Sequence, residues 1–324
     1  MTSWLYSHVL QEDESRQPAF SLQSAVGWIQ ALRHESEAEH GKHTSRQFLR
    51  CRDFFKNSLG PAKNPPALAL IFEPLFSSIT QSMTLERMSA PEVAAPWGRP
   101  AAVITWYYAV YAAVRAMLAA LGQTVGESHS AAMKAYAASL GAKLPHPLNM
   151  HAIRTSGETY TSRLPSHPKA KPYDLSRSFP GTSAAARGML LQYLSGTCKW
   201  YVWRTKAKIL SENKVRDFRT KSARELRDRR LQNDIAFLHC AFRYRGKANY
   251  RDAIYLAYGS TDLAAASHFV EDLAASARFI SLVGLAFVER RVGAKATTAF
   301  IKDLKKNLRG ITLATPEEAF WDIS

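Results

Sequence analysis

Residues 106–121 read Trp-Tyr-Tyr-Ala-Val-Tyr-Ala-Ala-Val-Arg-Ala-Met-Leu-Ala-Ala-Leu, apolar or aromatic at nearly every position. Ala, Leu and Met are strong helix formers. Gly122 stands just past the last periodic residue, where a helix stop is expected. Pro100 sits just ahead, a position suited to the first turn of a helix. A helix that is apolar all round has to be enclosed, either by other helices or by lipid. The run is about as long as a membrane span needs. Arg115 would lie inside that span, at a cost of about 2.5–3.5 kcal/mol on insertion scales. No paired second span is evident, so the stretch reads as the central helix of a soluble bundle, with no membrane partner.

The rest of the chain agrees with an all-α, multi-helix bundle. Few segments alternate with the period of two that strands require. At 324 residues the chain is long enough for about two domains of ordinary size. Residues 1–98 read as an N-terminal helical region. Within it, Leu22, Val26 and Ile29 predict a helix ending near Leu32, capped by Ser21 or Ser24. Pro74 is expected to kink or restart an apolar helix over residues 67–88. Residues 99–310 read as the bundle itself, and residues 311–324 as a tail carrying Phe320 and Trp321. Residues 145–182 interrupt the bundle with six prolines and no helical period, which predicts a surface insertion. Ser222 and Glu225 fit a capping box that opens a helix through Leu226, Leu231, Ile235, Leu238 and Phe242. Asp262 or Ser260 is the expected cap of the following one.

Charge narrows the partner. The formal net charge is +16, which favours a polyanion. It is concentrated between Lys199 and Arg251, where sixteen Lys or Arg against five acids leave +11. Trp200, Tyr201, Trp203, Phe218, Tyr244 and Tyr250 are interleaved with them. Taken alone, those aromatics read as core beneath a solvated helix face. The block as a whole reads as a surface for nucleic acid, RNA or DNA, with RNA or single strands favoured. Guanidinium groups fork onto phosphate, and aromatic planes accept splayed bases. The residues expected to bind are Arg204, Lys208, Arg216, Arg219, Arg224, Arg227, Arg243, Arg245, Lys247 and Arg251.

Other chemistry finds little support. Cys51, Cys198 and Cys240 are too few and too scattered for a disulfide framework or a zinc knuckle. No Gly-rich phosphate loop with a Lys, no HExxH and no Gly-x-Ser-x-Gly is found, so no cofactor or metal is expected. His146, His151 and His167 fall in the Pro-rich insertion without a shared ligand pattern. His239 beside Phe237-Leu238 reads as a core histidine. Gln11 to Glu14 is polar and acidic, unlike a secretory signal, so a cytoplasmic setting is expected.

Tyr107-Tyr108-Ala-Val-Tyr111-Ala-Ala-Val-Arg115-Ala-Met-Leu, followed by Gly122 and Glu127-Ser128-His129-Ser130, resembles the HEPN superfamily of helical bundles. Arg245-Gly-Lys-Ala-Asn249-Tyr250-Arg-Asp252-Ala is similar to the closing segment of its non-nuclease members. The resemblance covers roughly residues 100–140 and 230–280. It implies an oligomer, typically a dimer, and a bacterial defence or toxin–antitoxin-type setting. It also implies, for the family's nucleases, a metal-independent ribonuclease built on an Arg and a His. The passable match to that motif is Arg33 with His40, outside the resembling region and among acids. His129 is read as a helix-start residue. Whether the chain is an enzyme is therefore left open by its sequence. The first expectation is a nucleic-acid-binding protein. The second is a non-catalytic adaptor that meets a partner protein through its aromatic helices, and the third is a ribonuclease.

Overall fold

A computed structural model describes residues 18–62, 67–90, 96–123, 126, 128–167, 181–213, 215–231, 233–251, 253–258 and 268–308. The chain is an all-α multi-helix bundle with one small sheet. Its helices are α1 (Pro18–His40), α2 (Thr44–Ser58), α3 (Leu68–Met88), α4 (Arg99–Ala120), α5 (His129–Ala135) and α6 (Ser183–Glu212). They continue with α7 (Lys221–Arg230), α8 (Phe237–Gly246), α9 (Ala253–Tyr258), α10 (Phe269–Val292) and α11 (Ala294–Leu308).

The central helix is α4, and it is enclosed by protein. It packs along α3 and α10, with α8 across its other side, while α10 also rests on α1 and α2. It is long and apolar enough to cross a membrane, yet 72% of its apolar window is already buried inside the bundle. Gly122 stops it as expected, at φ +78°. The Gly122 amide donates to the Ala119 carbonyl (2.8 Å) and the Gln123 amide to Leu118 (3.0 Å), the two bonds of a Schellman end.

One aromatic cluster ties the N-terminal helices to the bundle. Trp28 of α1 stacks on Tyr193 of α6 with centroids 4.5 Å apart and meets Trp106 of α4 edge-on at 5.4 Å. Tyr244 of α8 packs against both indoles, and its hydroxyl donates to the Ala25 carbonyl at 3.0 Å. The Trp106 indole N–H donates to Ser276 Oγ at 2.9 Å. Trp106 and Tyr244 combine large apolar burial with satisfied polar tips.

Four expectations need correction. Helix α1 does not end near Leu32 but continues to His40, because its polar second half faces other helices. Arg33 pairs with Glu37 one turn on, and Glu35, fully buried, is held by His146 Nε2 (3.0 Å) and Arg187 Nε (2.6 Å). Helix α3 is not restarted at Pro74 but runs on through it. The missing N–H leaves the Leu70 carbonyl without a helical donor, but Leu70 is exposed and water can serve it. The helix expected to run from Ser222 to Phe242 breaks after Leu231. Ile235 and Ala236 form strand β3 there, and α8 restarts at Phe237. Helix α7 is capped two residues before Ser222 by Thr220, whose Oγ1 accepts from the Ala223 amide at 3.3 Å. Ser260, Asp262, Phe320 and Trp321 lie outside the described residues.

The Pro-rich insertion holds the rest of the sheet. Strands β1 (His151–Ser156) and β2 (Thr159–Ser162) form an antiparallel hairpin, and β3 adds to the other edge of β1, giving the order β2-β1-β3. His151 Nε2 bonds Asp234 at 2.9 Å, locking β1 to the segment leading into β3. The hairpin thus stands beside α6 and α7, where it shapes the basic region.

Two stability outcomes follow from these contacts. Gly122→Ala places a Cβ in the left-handed region and should cost about 1–2 kcal/mol, read by urea denaturation. For Glu35, burial alone would raise the carboxyl, but the bonds from His146 and Arg187 outweigh it and hold the pKa at about 2, below the ordinary 4.5. That stabilisation is complete above pH about 4.5 and is lost as the pH falls toward 2, a loss of up to about 3 kcal/mol. The wild type minus Glu35→Gln difference in unfolding free energy should shrink across this window; a constant difference would contradict the assignment.

Candidate nucleic-acid interface

Helices α4, α5, α6 and α8 bring together a run of arginines and aromatic rings from distant parts of the chain. On α6, Arg204 lies over the Trp200 ring at 5.2 Å and reaches Phe242 of α8 at 5.8 Å. One turn along α8, Arg245 covers the other neighbours of Phe242. Its guanidinium is 5.6 Å from Phe242, 5.1 Å from Tyr107 and 5.7 Å from Tyr108. Trp200, Arg204, Phe242, Arg245 and Tyr108 therefore form an alternating ladder of rings and cations. Arg204 and Tyr108 are exposed, and Trp200, Phe242 and Arg245 are half-buried. Cation–π contacts hold such guanidinium groups without cancelling their charge.

At the Arg245 end stands His129, the first residue of α5. Arg245 Nη1 is 3.1 Å from its Nε2, and the Tyr107 hydroxyl is 2.8 Å from its Nδ1. A guanidinium only donates, so Nε2 accepts and the ring proton sits on Nδ1, donating to the Tyr107 oxygen. The imidazole also rests against Tyr111 at 4.5 Å and Phe242 at 5.8 Å. Burial, and next the Arg245 charge, lower its pKa. His129 is thus a neutral, oriented base beside a cation. Burial also raises the Tyr107 hydroxyl well above its usual range, against the pull of Arg245, so it stays protonated. Arg245 has no carboxylate partner among the described residues.

The ten cations expected from the sequence do not all gather here. Arg204, Arg243 and Arg245 do. Arg243 is half-buried, lies over the Tyr193 ring at 5.3 Å and donates to Thr197 Oγ1 at 3.3 Å. Gly196 makes room for it, since a Cβ there would sit 3.1 Å from Arg243 Nη1. Lys247 follows one turn later on the same side. Arg227 is different: it is largely buried and held by Glu158 (2.8 Å) and Asp228 (2.9 Å), so it fastens the hairpin to α7. Lys208 pairs with Glu212 at 3.6 Å and Arg219 with Asp217 at 3.7 Å, both exposed. Arg216 and Arg224 are exposed, without a carboxylate partner among the described residues. The Arg251 side chain lies outside them.

Arg33 and His40 are given structural work instead of a shared site. Arg33 is bound by Glu37, Glu271 and Asp272, each at 2.8 Å. His40 is buried against Phe279 and faces the His146 carbonyl at 3.3 Å, and burial lowers its pKa. A guanidinium facing three carboxylates cannot steady a phosphate. His239 is a core histidine: its Nδ1 accepts from the Ala236 amide at 3.2 Å, and burial with nearby His151 brings its pKa down to about 4. Glu35, Glu39 and His146 offer donor atoms within 4.8 Å of one another, but Arg187 bridges the two carboxylates at 2.6 and 3.0 Å and supplies the cation itself. His129 opens α5 as expected, and its contact with Arg245 is what the sequence did not reveal. Its Ser-His helix start was visible, but its partner Arg245 is 116 residues away.

Comparison with known proteins gave no match, either to a family model, to a curated protein or to a solved structure.

The electrostatics of the pair can be read directly. Arg245→Ala removes a cation that opposes protonation, so the His129 pKa should rise toward 6.5, followed by NMR titration of the ring signals. An unmoved pKa would mean that the two groups do not meet in solution.

Proposed function

We propose that the chain binds single-stranded nucleic acid, RNA before DNA, on the arginine–aromatic ladder of α4, α6 and α8. The supporting observation is the alternation of Arg204 and Arg245 with Trp200, Phe242 and Tyr108. Guanidinium groups spaced between ring faces match a strand whose phosphates alternate with stackable bases. The net charge of +16 adds long-range attraction. A defence or toxin–antitoxin-type role, and assembly as an oligomer, come with the HEPN resemblance carried by Tyr107, His129 and the segment after Arg245.

Binding should weaken linearly in log–log plots against salt. Arg204→Ala with Arg245→Ala should make the slope shallower by about 0.7 for each phosphate left without its cation. Fluorescence anisotropy with a labelled oligouridine reads both; affinity independent of salt would end the proposal.

A second reading, metal-independent ribonuclease, is favoured by the His129–Arg245 pair. With Arg245 drawn to the phosphate, the freed Nε2 can take the proton of a 2′-hydroxyl. The 2′-oxygen then attacks phosphorus and the 5′-oxygen leaves, taking a proton from water, to yield a cyclic phosphate and a 5′-hydroxyl end, while Arg245 steadies the charge on phosphorus. Labelled RNA incubated with excess chelator should be cut by the wild type and not by His129→Ala, with DNA of the same sequence untouched. Equal cutting by both proteins removes this site.

A further inference from the structure

Beside the ladder, a cleft of about 1530 Å³ opens between α6 and the β1–β2 hairpin. It exceeds the roughly 300–1,000 Å³ that suffices for a drug-sized ligand, so it has room for a segment of a polymer. Buried Tyr193, Leu194, Cys198 and Val202 give it an apolar floor. Among the described residues, Lys199, Lys206, Arg243 and Lys247 line it against one carboxylate, Glu158. Glu158 is already engaged, by Lys206 at 3.0 Å and by Arg227 at 2.8 Å. Among the described lining residues, Lys199 and Arg243 therefore meet no other carboxylate, and this lining favours an anion.

Its aromatic element is Trp203, 59% exposed, an indole left open where burial would be favourable. Exposed Thr159 and Thr161 of the hairpin and Gln192 of α6 supply hydrogen-bonding groups opposite and around it. Cations for phosphate, a ring for a base and hydroxyls or an amide for base edges are the three components of single-strand recognition. The cleft lining also adjoins the ladder along α6 and α8. Trp203 lies three residues from Trp200, a neighbouring position on one helix surface. Arg243, which lines the cleft, adjoins Phe242, whose ring carries both Arg204 and Arg245.

We infer that the cleft is a second polynucleotide subsite. The strand lying on the ladder passes into it, stacking a base on Trp203 and setting phosphates against Lys199 and Arg243. This rests on the reading of the ladder as a single-strand site.

The test uses the full-length chain and a labelled twelve-nucleotide oligouridine, with 4-thiouridine substituted for crosslinking. Lys199→Glu with Trp203→Ala changes only exposed side chains and should weaken binding about tenfold or more, the scale of one base–aromatic stack together with one phosphate pairing. Crosslinks should map to the Trp203 segment and to hairpin residues 152–167. Affinity within twofold of the wild type overturns the cleft subsite and leaves the ladder standing. Crosslinks confined to α4, α5 and α8 also overturn it, even where affinity has fallen. Failure of the wild type to bind at low salt removes the ladder and the cleft together.

Discussion

Enclosure of α4 is the constraint from which the remaining architecture derives. A helix with no polar face cannot lie on a surface, so α3, α8 and α10 must cover it. The covering is specific because its largest side chains are aromatic. Trp106 is fully buried, donates to Ser276 and packs edge-on against Trp28 and Tyr244. Tyr244 is thereby fixed on α8. Its neighbours Arg243 and Arg245 then point along the sides of that helix, one toward Tyr193 and the other toward Tyr107. The candidate surface is in this sense the outer layer of the same aromatic core.

Much of the bundle was legible in the sequence, because helix signals are local. The apolar run of α4, its stop at Gly122 and the basic aromatic block all lie within short windows. What was not legible depended on contacts between distant residues. The apolar spacing of Leu231, Ile235 and Leu238 continues a helix on paper. Pairing of His151 with Ala236 and Ala152 with Ile235 converts its middle into a strand. The extension of α1 to His40 was hidden for the same reason, since Glu35 faces Arg187, 152 residues away. Charge was misjudged where its counterion was remote. Arg227 looked like a phosphate ligand until Glu158, 69 residues earlier, proved to hold it.

The contrast between Arg33 and Arg245 shows how the same side chain is put to different uses. Arg33 meets three carboxylates, so its charge is spent within the fold and its pKa is raised by Glu37 and Asp272 against the effect of burial. Arg245 meets ring faces and a neutral imidazole. Ring faces attract a cation more weakly than a carboxylate does, so the guanidinium keeps most of its appetite for an anion while its position is fixed. Among the described residues Arg245 meets no carboxylate, and burying a cation without a counterion costs free energy, a cost that the proposed anion would offset. The same logic explains why His129 is held as a donor to Tyr107 and an acceptor from Arg245. Its orientation is set before any ligand arrives, and the atom released when Arg245 turns to a phosphate is the basic Nε2. On the ribonuclease reading proposed above, anion binding at a site assembled from α4, α5 and α8 in this way would uncover a base.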